Sequence, residues 1–203
     1  MRPPWIKPEA IIYALALAGC TGSIGSGARG GGGEEVVNDN IAKSLCVVDT
    51  PIRRLTRFEY NNTVRDLLGD TTHPADVLPP EEEVAGFSNQ AAALTTSDLL
   101  IEQYMKVAED VGARAVQNVA ALIPDCSPEL DGADRCATQF IDDFVMRAFR
   151  RPLTLSEANR YKSLFDSAMN DPNLGRFEDG IQMVIEAVLQ SPSFLYRAEL
   201  GDE

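Results

Sequence analysis

Two matching helix start signals constrain the fold of this chain more than any other feature. Residues 56–59 (TRFE) and 154–157 (TLSE) each place a threonine hydroxyl and, three residues later, a glutamate carboxylate where they can bind the unpaired amides at the start of a helix. Apolar residues follow each signal at helical spacing, until Gly69 ends the first run and Pro172 breaks the second. The sequence therefore predicts an α-helix after each signal.

Three further segments repeat the helical spacing of apolar residues: 95–122, 136–148 and 177–189. The first should form the longest helix and the third the most buried one, and a short last helix is expected at about 194–200. No alternation of apolar and polar residues, which is typical of strands, follows residue 50. We therefore predict a mainly α fold, a bundle of five or six helices with one long irregular loop over residues 69–95. The expected core residues are Tyr60, Leu67, Tyr104, Phe140, Phe144, Leu164, Phe165, Ile181, Val184 and Val188.

The first twenty residues have the composition of an export signal. Two basic residues precede an apolar run over 11–18, which is far shorter than the roughly 20 residues that a membrane-spanning helix needs. The run ends in residues 17–20 (LAGC), which resemble a lipobox, in which the cysteine thiol receives a diacylglycerol and the chain is cut before it. We predict a lipoprotein signal peptide at 1–19 and lipid attachment at Cys20. An ordinary cleaved secretory signal is the alternative.

The segment 20–50 is rich in glycine. Such a composition buries too little apolar surface to offset the entropy lost on ordering, so we predict a flexible linker between a lipid anchor and a folded domain. A glycine-rich phosphate-binding loop is the alternative. A phosphate-binding loop needs a preceding strand, a following helix and a lysine in register, and the segment lacks all three.

The chain is acidic, with a formal net charge of −13 at pH 7. A nucleic-acid partner calls for a basic face, and so does adhesion to anionic lipid headgroups, so the sequence disfavours both. The predicted contact with a membrane is therefore through lipid, on the periplasmic or surface side of a bacterial cell envelope. The acids are spread along the chain except at 34–35 and 81–83, which favours a solvated surface over a metal site.

Export permits disulfide bonds, and Cys126 and Cys136 bracket a nine-residue segment rich in turn-forming residues. We expect these two cysteines to be paired, which leaves Cys46 as a free thiol or as the partner of something outside this chain. The single histidine, His73, lies in a loop context and is expected at the surface. With one histidine and no clustered thiols, neither a zinc site nor a Ser-His-acid triad is predicted, and no cofactor, metal or catalytic residue is assigned.

Two groups of polar residues leave alternatives open. The acids at 81–83, near Phe87, could supply the paired carboxylates that glycoside hydrolysis needs, although three adjacent acids lack the opposed geometry of that reaction. The Arg, Asn and Glu residues of 57–66 are either surface pairs at helical spacing, which we favour, or supports for the long acidic loop.

Three phrases point to a known family: residues 53–69 (RRLTRFEYNNTVRDLLG), 140–154 (FIDDFVMRAFRRPLT) and 190–197 (QSPSFLYR). Together they resemble the large exported proteins of planctomycetes and myxobacteria that are built from consecutive planctomycete-specific domains of unknown function, often found with cytochrome-c-type domains. The resemblance covers residues 52–198. It implies a helical architecture and an envelope location but no catalytic residue, since members of the family lack an established activity.

The resemblance implies two helical domains, 51–123 and 124–203, the second packed on the first. Family members continue into further helical domains, so we expect this chain to be the amino-terminal portion of something longer. The favoured function is a lipid-anchored module that binds another envelope protein or a polysaccharide as a scaffold, without chemistry of its own. The alternative is a part of an extracellular redox or polysaccharide-processing system. Because the chain has no Cys-x-x-Cys-His motif, that role would need a cytochrome-c-type partner or a catalytic or haem domain outside this chain.

Overall fold

The computed structural model describes residues 52–91 and 94–197. The predicted signal peptide and linker, which together cover 1–50, lie outside the described residues, and so do Cys20 and Cys46. The assignments made for them from the sequence therefore stay predictions.

The described chain is mainly helical, as predicted, and five of its helices span twelve residues or more. None of the described helices is both long enough and apolar enough to cross a membrane. In chain order the elements are β1 (Arg53–Arg54), α1 (Arg57–Leu68), a 3₁₀ turn (Pro74–Val77), α2 (Asp98–Ala115), a second 3₁₀ turn (Val116–Asn118), α3 (Val119–Leu122), α4 (Pro128–Asp131), α5 (Ala133–Phe149), α6 (Leu155–Met169), α7 (Phe177–Leu189), α8 (Pro192–Leu195) and β2 (Tyr196–Arg197).

Both predicted helix start signals are confirmed. The side chain of Thr56 accepts a hydrogen bond from the amide of Glu59, whose carboxylate accepts one from the amide of Thr56. Thr154 and Glu157 repeat this arrangement at the start of α6. Gly69 follows α1 in the left-handed conformation, with a φ of 73°, which glycine adopts without a Cβ clash. Local sequence therefore determines where α1 begins and ends and where α6 begins.

One hydrophobic core contains side chains from all five long helices. Tyr60 of α1 lies edge-on to Phe194 of α8, with ring centroids 5.5 Å apart, and Phe165 of α6 meets Phe177 of α7 in the same manner at 5.4 Å. The first of these contacts joins the beginning of the described chain to its end. The core is therefore shared between the two halves of the described chain and is not divided at the segment between α2 and α5.

Eight of the ten predicted core residues are buried, and two are not. Leu67 is half-buried and packs against the edge of the core, whereas Leu164 is half-buried outside it. The buried stripe of α6 is narrow, and Leu164, about 100° around the helix from Phe165, lies at its side. The residues of α6 that are buried are Tyr161, Phe165 and Ala168.

A glycine lets α6 and α7 approach closely. A Cβ atom at position 180 would lie 2.4 Å from Cδ2 and 2.6 Å from Cε2 of the Phe165 ring. That ring is almost completely buried, so the surrounding side chains leave it little room to move aside. Gly180 therefore sets the depth to which Phe165 packs between the two helices.

The carboxyl end of the described chain differs from the prediction. The sequence predicted a helix at about 194–200, of which 198–200 lie outside the described residues. Over 192–197 the single turn of α8 is followed by β2, which pairs antiparallel with β1 so that Arg53 lies opposite Arg197 and Arg54 opposite Tyr196. The sequence predicted neither strand, although the mainly α fold is confirmed. Strands of two residues are too short to show an alternating pattern, so only the tertiary fold reveals them.

The long connection between α1 and α2 lies against the core at several points. Ala75, Leu78 and Leu94 are all buried. The side chain of Asn61 accepts a hydrogen bond from the amide of Ala75 at 2.7 Å and donates one to the carboxylate of Asp76 at 2.9 Å. The described part of the loop is therefore attached to α1 and wraps the core.

A disulfide bond joins Cys126 to Cys136, which confirms the predicted pairing. The two Cα atoms are 5.6 Å apart, and Cys136 is fully buried in the first turn of α5. The enclosed segment contains the single turn of α4. The bond therefore fixes the connection between α3 and α5 to the core.

We expect Gly180→Ala to lower the free energy of unfolding by about 1–3 kcal/mol, because the new methyl group overlaps the buried ring of Phe165. Gly112→Ala in α2 is the matched control, since its Cβ would meet the Cγ atoms of Glu186 and Gln182 at 3.1 and 3.2 Å, and these belong to flexible side chains. The better helix propensity of alanine should offset that contact. Urea unfolding followed by circular dichroism measures both. A loss for Gly180→Ala no larger than that for Gly112→Ala would contradict the packing argument.

We expect simultaneous Cys126→Ser and Cys136→Ser substitution to lower the free energy of unfolding by about 2–3 kcal/mol, because the short loop gains conformational freedom in the unfolded chain. Mass spectrometry of peptides from the unreduced protein should show the two cysteines linked, and Cys46→Ser should leave that linkage intact. A peptide in which Cys46 is joined to either cysteine would refute the pairing.

Candidate functional site

The two disulfide sulfurs form a compact group with Asp131, one of whose carboxylate oxygens lies within 4.8 Å of both. Because the sulfurs are bonded to each other, they are not available as thiolate ligands. The Asp131 carboxylate already accepts hydrogen bonds from the amide of Ser127 at 3.0 Å and from Arg135 at 3.2 Å. This group therefore stabilises the loop and is not a metal site in the oxidised protein. His73 is exposed, as predicted.

The structure divides the acidic triplet at 81–83. Glu82 and Glu83 are exposed, as expected of a solvated surface. The side chain of Glu81 is only 8% exposed, and its carboxylate accepts hydrogen bonds from the backbone amide and the Nε of Arg57. Glu81 therefore caps the first turn of α1 from the long loop, and the triplet does not present the opposed carboxylates that glycoside hydrolysis requires.

The polar residues of α1 serve both of the roles considered from the sequence. Arg65 donates to the side chain of Asn62 at 2.9 Å on an exposed face of the helix, which is a surface pair. Arg57 donates to the carbonyl of Leu78 at 3.4 Å, and Asn61 binds the same loop. One face of α1 therefore supports the long loop, while another is solvated.

The three phrases that carry the family resemblance meet in one place. The strand β1, from the first phrase, pairs with β2, from the last, and the amide of Leu55 donates to the carbonyl of Leu195 at 2.7 Å. The middle phrase supplies Arg150 and Arg151, which donate to the same carboxyl-terminal segment; Arg151 reaches the hydroxyl of Ser193 at 3.4 Å. The resemblance therefore falls on residues that contact one another.

A seven-residue motif begins twice within these phrases, once in the first and once in the middle one. The chain reads Arg-x-Leu-Thr-x-x-Glu from Arg53 to Glu59 and again from Arg151 to Glu157. In each copy the arginine donates two hydrogen bonds to the glutamate, both at 2.8 Å in the first copy and at 2.9 and 2.7 Å in the second. Because the same glutamate completes the capping box, the arginine forms part of the helix cap.

The paired arginines keep both glutamates ionised. The hydrogen bonds from Arg53 lower the pKa of Glu59 to about 2, and those from Arg151 lower the pKa of Glu157 to about 2. Each carboxylate therefore stays negatively charged at neutral pH and holds its arginine in a fixed position beside a helix start.

Arg150 follows α5 in the left-handed conformation, with a φ of 58°, which is unfavourable for a residue with a Cβ atom. Its Nη2 donates to the carbonyls of Ser193, Phe194 and Tyr196 at 3.3, 2.9 and 3.1 Å. Burial lowers the pKa of Arg150, and the positive charge of Arg197 lowers it further. The backbone strain is offset because this conformation directs one guanidinium to three carbonyls around the start of β2.

Arg54 is the one arginine of the described residues that is buried, with an exposed fraction of 5%. Its Nη1 donates to the hydroxyl of Tyr104, and the guanidinium carbon lies 5.8 Å from the centroid of that ring. Within the described residues, neither the Nε of Arg54 nor the hydroxyl of Tyr60 has a hydrogen-bond partner. A buried guanidinium with neutral partners adds positive potential to its surroundings.

We define the arginine cluster as Arg53, Arg54, Arg150 and Arg197, the guanidinium groups at β1, β2 and the end of α5. Arg197 lies 3.7 Å from the carboxylate of Glu59, to which Arg53 is already bound. In a chain with a net charge of −13, this cluster is a local region of positive charge. Guanidinium groups stay protonated and donate hydrogen bonds, so the cluster can bind anions and carbonyl groups but cannot transfer protons.

Sequence reasoning identified the phrases but not the cluster. The repeated Arg-x-Leu-Thr-x-x-Glu motif is visible in the sequence, and a comparison of the residues before the two helix start signals could have found Arg53 and Arg151, of which only Arg53 belongs to the cluster. The pairing of β1 with β2 and the carbonyls bound by Arg150 leave no such signal, because they join segments that are remote in the sequence.

We expect Glu59→Gln to lower the free energy of unfolding by about 1–2 kcal/mol at pH 7, because a neutral amide binds Arg53 and the helix cap more weakly. Because solvent screens this partly exposed pair, the loss should be smaller than the full pKa shift of Glu59 implies. Since the folded pKa of about 2 lies below the ordinary value of 4.5, this stabilisation is present above pH 4.5 and is lost as the pH falls towards 2. The difference between variant and wild type should shrink over that range.

Urea unfolding at a series of pH values measures this difference. Glu102→Gln, at an exposed position of α2, is the control and should change the free energy of unfolding by less than about 0.5 kcal/mol. A Glu59→Gln effect that is independent of pH would contradict the ionised pair.

Comparison with protein-family models gives two matches. Residues 53–117 match the model described as PSD3: Protein of unknown function (DUF1587), and residues 136–199 match the model described as PSD5: Protein of unknown function (DUF1595). Comparison with curated proteins and with solved structures gives no match. The arginine cluster takes two arginines from each matched segment. The chain therefore carries two domains of unknown function, and phrases from both domains meet in the arginine cluster.

Proposed function

We propose that this chain is a lipid-anchored helical module of the bacterial cell envelope that binds another envelope component through its arginine cluster. The observation that carries the anchor is the sequence LAGC at 17–20, after two basic residues and a short apolar run. A diacylglycerol on Cys20 supplies two acyl chains, and two chains hold a protein on a membrane far more firmly than one.

The composition of the chain supports an anchored domain. The glycine-rich segment 20–50 lies between Cys20 and the folded residues and has the composition of a flexible linker. The net charge of −13 opposes adhesion to anionic headgroups, which makes lipid the favoured route to the membrane. The resemblance to exported planctomycete proteins agrees with an envelope location, and the two matched domains of unknown function are compatible with it.

The chemistry of the candidate site supports binding without catalysis. The arginine cluster offers several fixed hydrogen-bond donors and a local positive charge, which are the properties of a recognition surface. Glu81, the least exposed acid of the triplet at 81–83, is engaged in capping α1. No observation within the described residues specifically favours the redox or polysaccharide-processing alternative.

We expect Cys20→Ala to abolish the incorporation of a radiolabelled fatty acid and to move the protein from the membrane fraction to the soluble fraction or to block its processing, because the substitution removes the only thiol in the lipobox-like segment. The measurement is metabolic labelling of the full chain in a bacterial host, followed by membrane fractionation.

Cys46→Ala is the matched control, since it removes the other cysteine of the amino-terminal segment and should leave labelling unchanged. Absence of label from the wild-type chain would refute the lipid anchor, and so would equal labelling of the Cys20→Ala variant.

A further inference from the structure

Two arginines of the cluster, Arg150 and Arg197, have guanidinium donors without a hydrogen-bond acceptor among the described residues. Glu59 already accepts two hydrogen bonds from Arg53 and one from the amide of Thr56, and Arg197 approaches it only to 3.7 Å. Arg150 uses Nη2 for three carbonyls, and its Nε and Nη1 have no acceptor within the described residues. As far as the described residues go, Arg150 and Arg197 therefore retain guanidinium donors that a ligand can bind.

Part of this donor-rich region is accessible. The side chain of Arg197 is 41% exposed, and Arg150 is also an exposed residue. The hydrogen bond from Arg150 to the carbonyl of Tyr196 places its guanidinium beside the residue that precedes Arg197 in β2. Arg54 is buried against Tyr104 and, as the neighbour of Arg53 in β1, belongs to the other face of the strand pair. A ligand at the exposed rim would therefore meet the two accessible guanidinium groups of Arg150 and Arg197.

The groups that this cluster binds within its own chain indicate the chemistry of a partner. Arg53 binds a glutamate carboxylate through two parallel hydrogen bonds, and Arg150 binds three peptide carbonyls. A peptide segment rich in Asp and Glu offers both types of acceptor, whereas a polymer of sugar acids offers carboxylates without peptide carbonyls. Bidentate binding of carboxylates is the geometry for which arginine is best suited.

We infer that the exposed rim of the arginine cluster, formed by Arg150 and Arg197, is the docking surface for an acidic segment of a partner protein. This inference rests on the binding role proposed above but not on the lipid anchor. The electrostatic attraction between this surface and the partner is local, because the rest of this acidic chain repels the partner's carboxylates. Binding should therefore be moderate and should weaken when salt screens the contact at the rim.

The test uses the full chain carrying Cys20→Ala, so that it can be studied in solution whether or not the native protein is lipidated. The probe is fluorescein-labelled poly-L-glutamate, with binding followed by fluorescence anisotropy at low ionic strength. We expect saturable binding that Arg197→Gln weakens about fivefold or more, since one charge-assisted contact at an exposed rim is lost, and that Arg197→Lys partly restores.

Arg135→Gln is the matched control. It removes the same unit of charge from the same chain at a side chain that is 68% exposed and forms a surface pair with Asp131. Its affinity for the probe should stay within about twofold of the parent value. Thermal unfolding by circular dichroism shows whether each variant is folded. Loss of the Arg197 side chain should disturb the fold little, because its one side-chain ion pair in the described residues is long, at 3.7 Å.

Three results would overturn the inference. The first is equal binding of poly-L-glutamate by the parent and by Arg197→Gln, or no binding at all. The second is tighter binding of polygalacturonate than of poly-L-glutamate in competition, which would assign the surface to a polysaccharide. The third is an effect of Arg197→Gln on sedimentation of the protein alone without an effect on the probe, which would assign the surface to a second copy of the chain. None of these results depends on fatty-acid labelling, so each is distinguishable from failure of the anchor.

Discussion

The packing of Tyr60 against Phe194, beside the antiparallel contact between β1 and β2, is the interaction on which closure of the described chain depends. Two strands of two residues are far too short to be stable alone, and closing a loop of this length costs conformational entropy. The contact persists because the flanking side chains are buried: Tyr60 lies against Phe194, and Leu55 and Leu195 both belong to the core. This closure brings the beginning and the end of the described chain to one place and creates the arginine cluster there.

Closure of the chain also gathers positive charge in an acidic protein. Arg53 and Arg197 become opposite residues of a ladder, and Arg150 is drawn in by the carbonyls around the start of β2. Such a grouping costs electrostatic energy, which burial and mutual repulsion impose on Arg150 in particular. Glu59 offsets part of that cost through its bidentate pair with Arg53. The remaining positive charge, at the exposed rim, is what gives this region its proposed role in recognition.

Glutamate carboxylates cap helix starts in two different ways in this structure. Glu59 and Glu157 cap the helices to which they belong, three residues after a threonine, so the local sequence predicts both caps. Glu81 caps α1 from a distant loop, and its position beside two other acids suggested a solvated surface. The two kinds of cap differ in sequence separation. A cap within one helix turn follows from the local spacing of threonine and glutamate, whereas the cap from Glu81 depends on how the long loop packs against α1.

The sequence by itself determined the five long helices, the caps of α1 and α6, eight of the ten expected core positions and the Cys126–Cys136 disulfide, because each depends on residues close together in the chain. Only the tertiary structure decided the strands at the two ends of the described chain, the burial of Arg54 and the left-handed conformation of Arg150. These features depend on contacts between remote segments, whose energy comes from shared burial and leaves no periodic pattern in either segment. The arginine cluster belongs to this second group: its residues are visible in the sequence, but their proximity is a property of the fold.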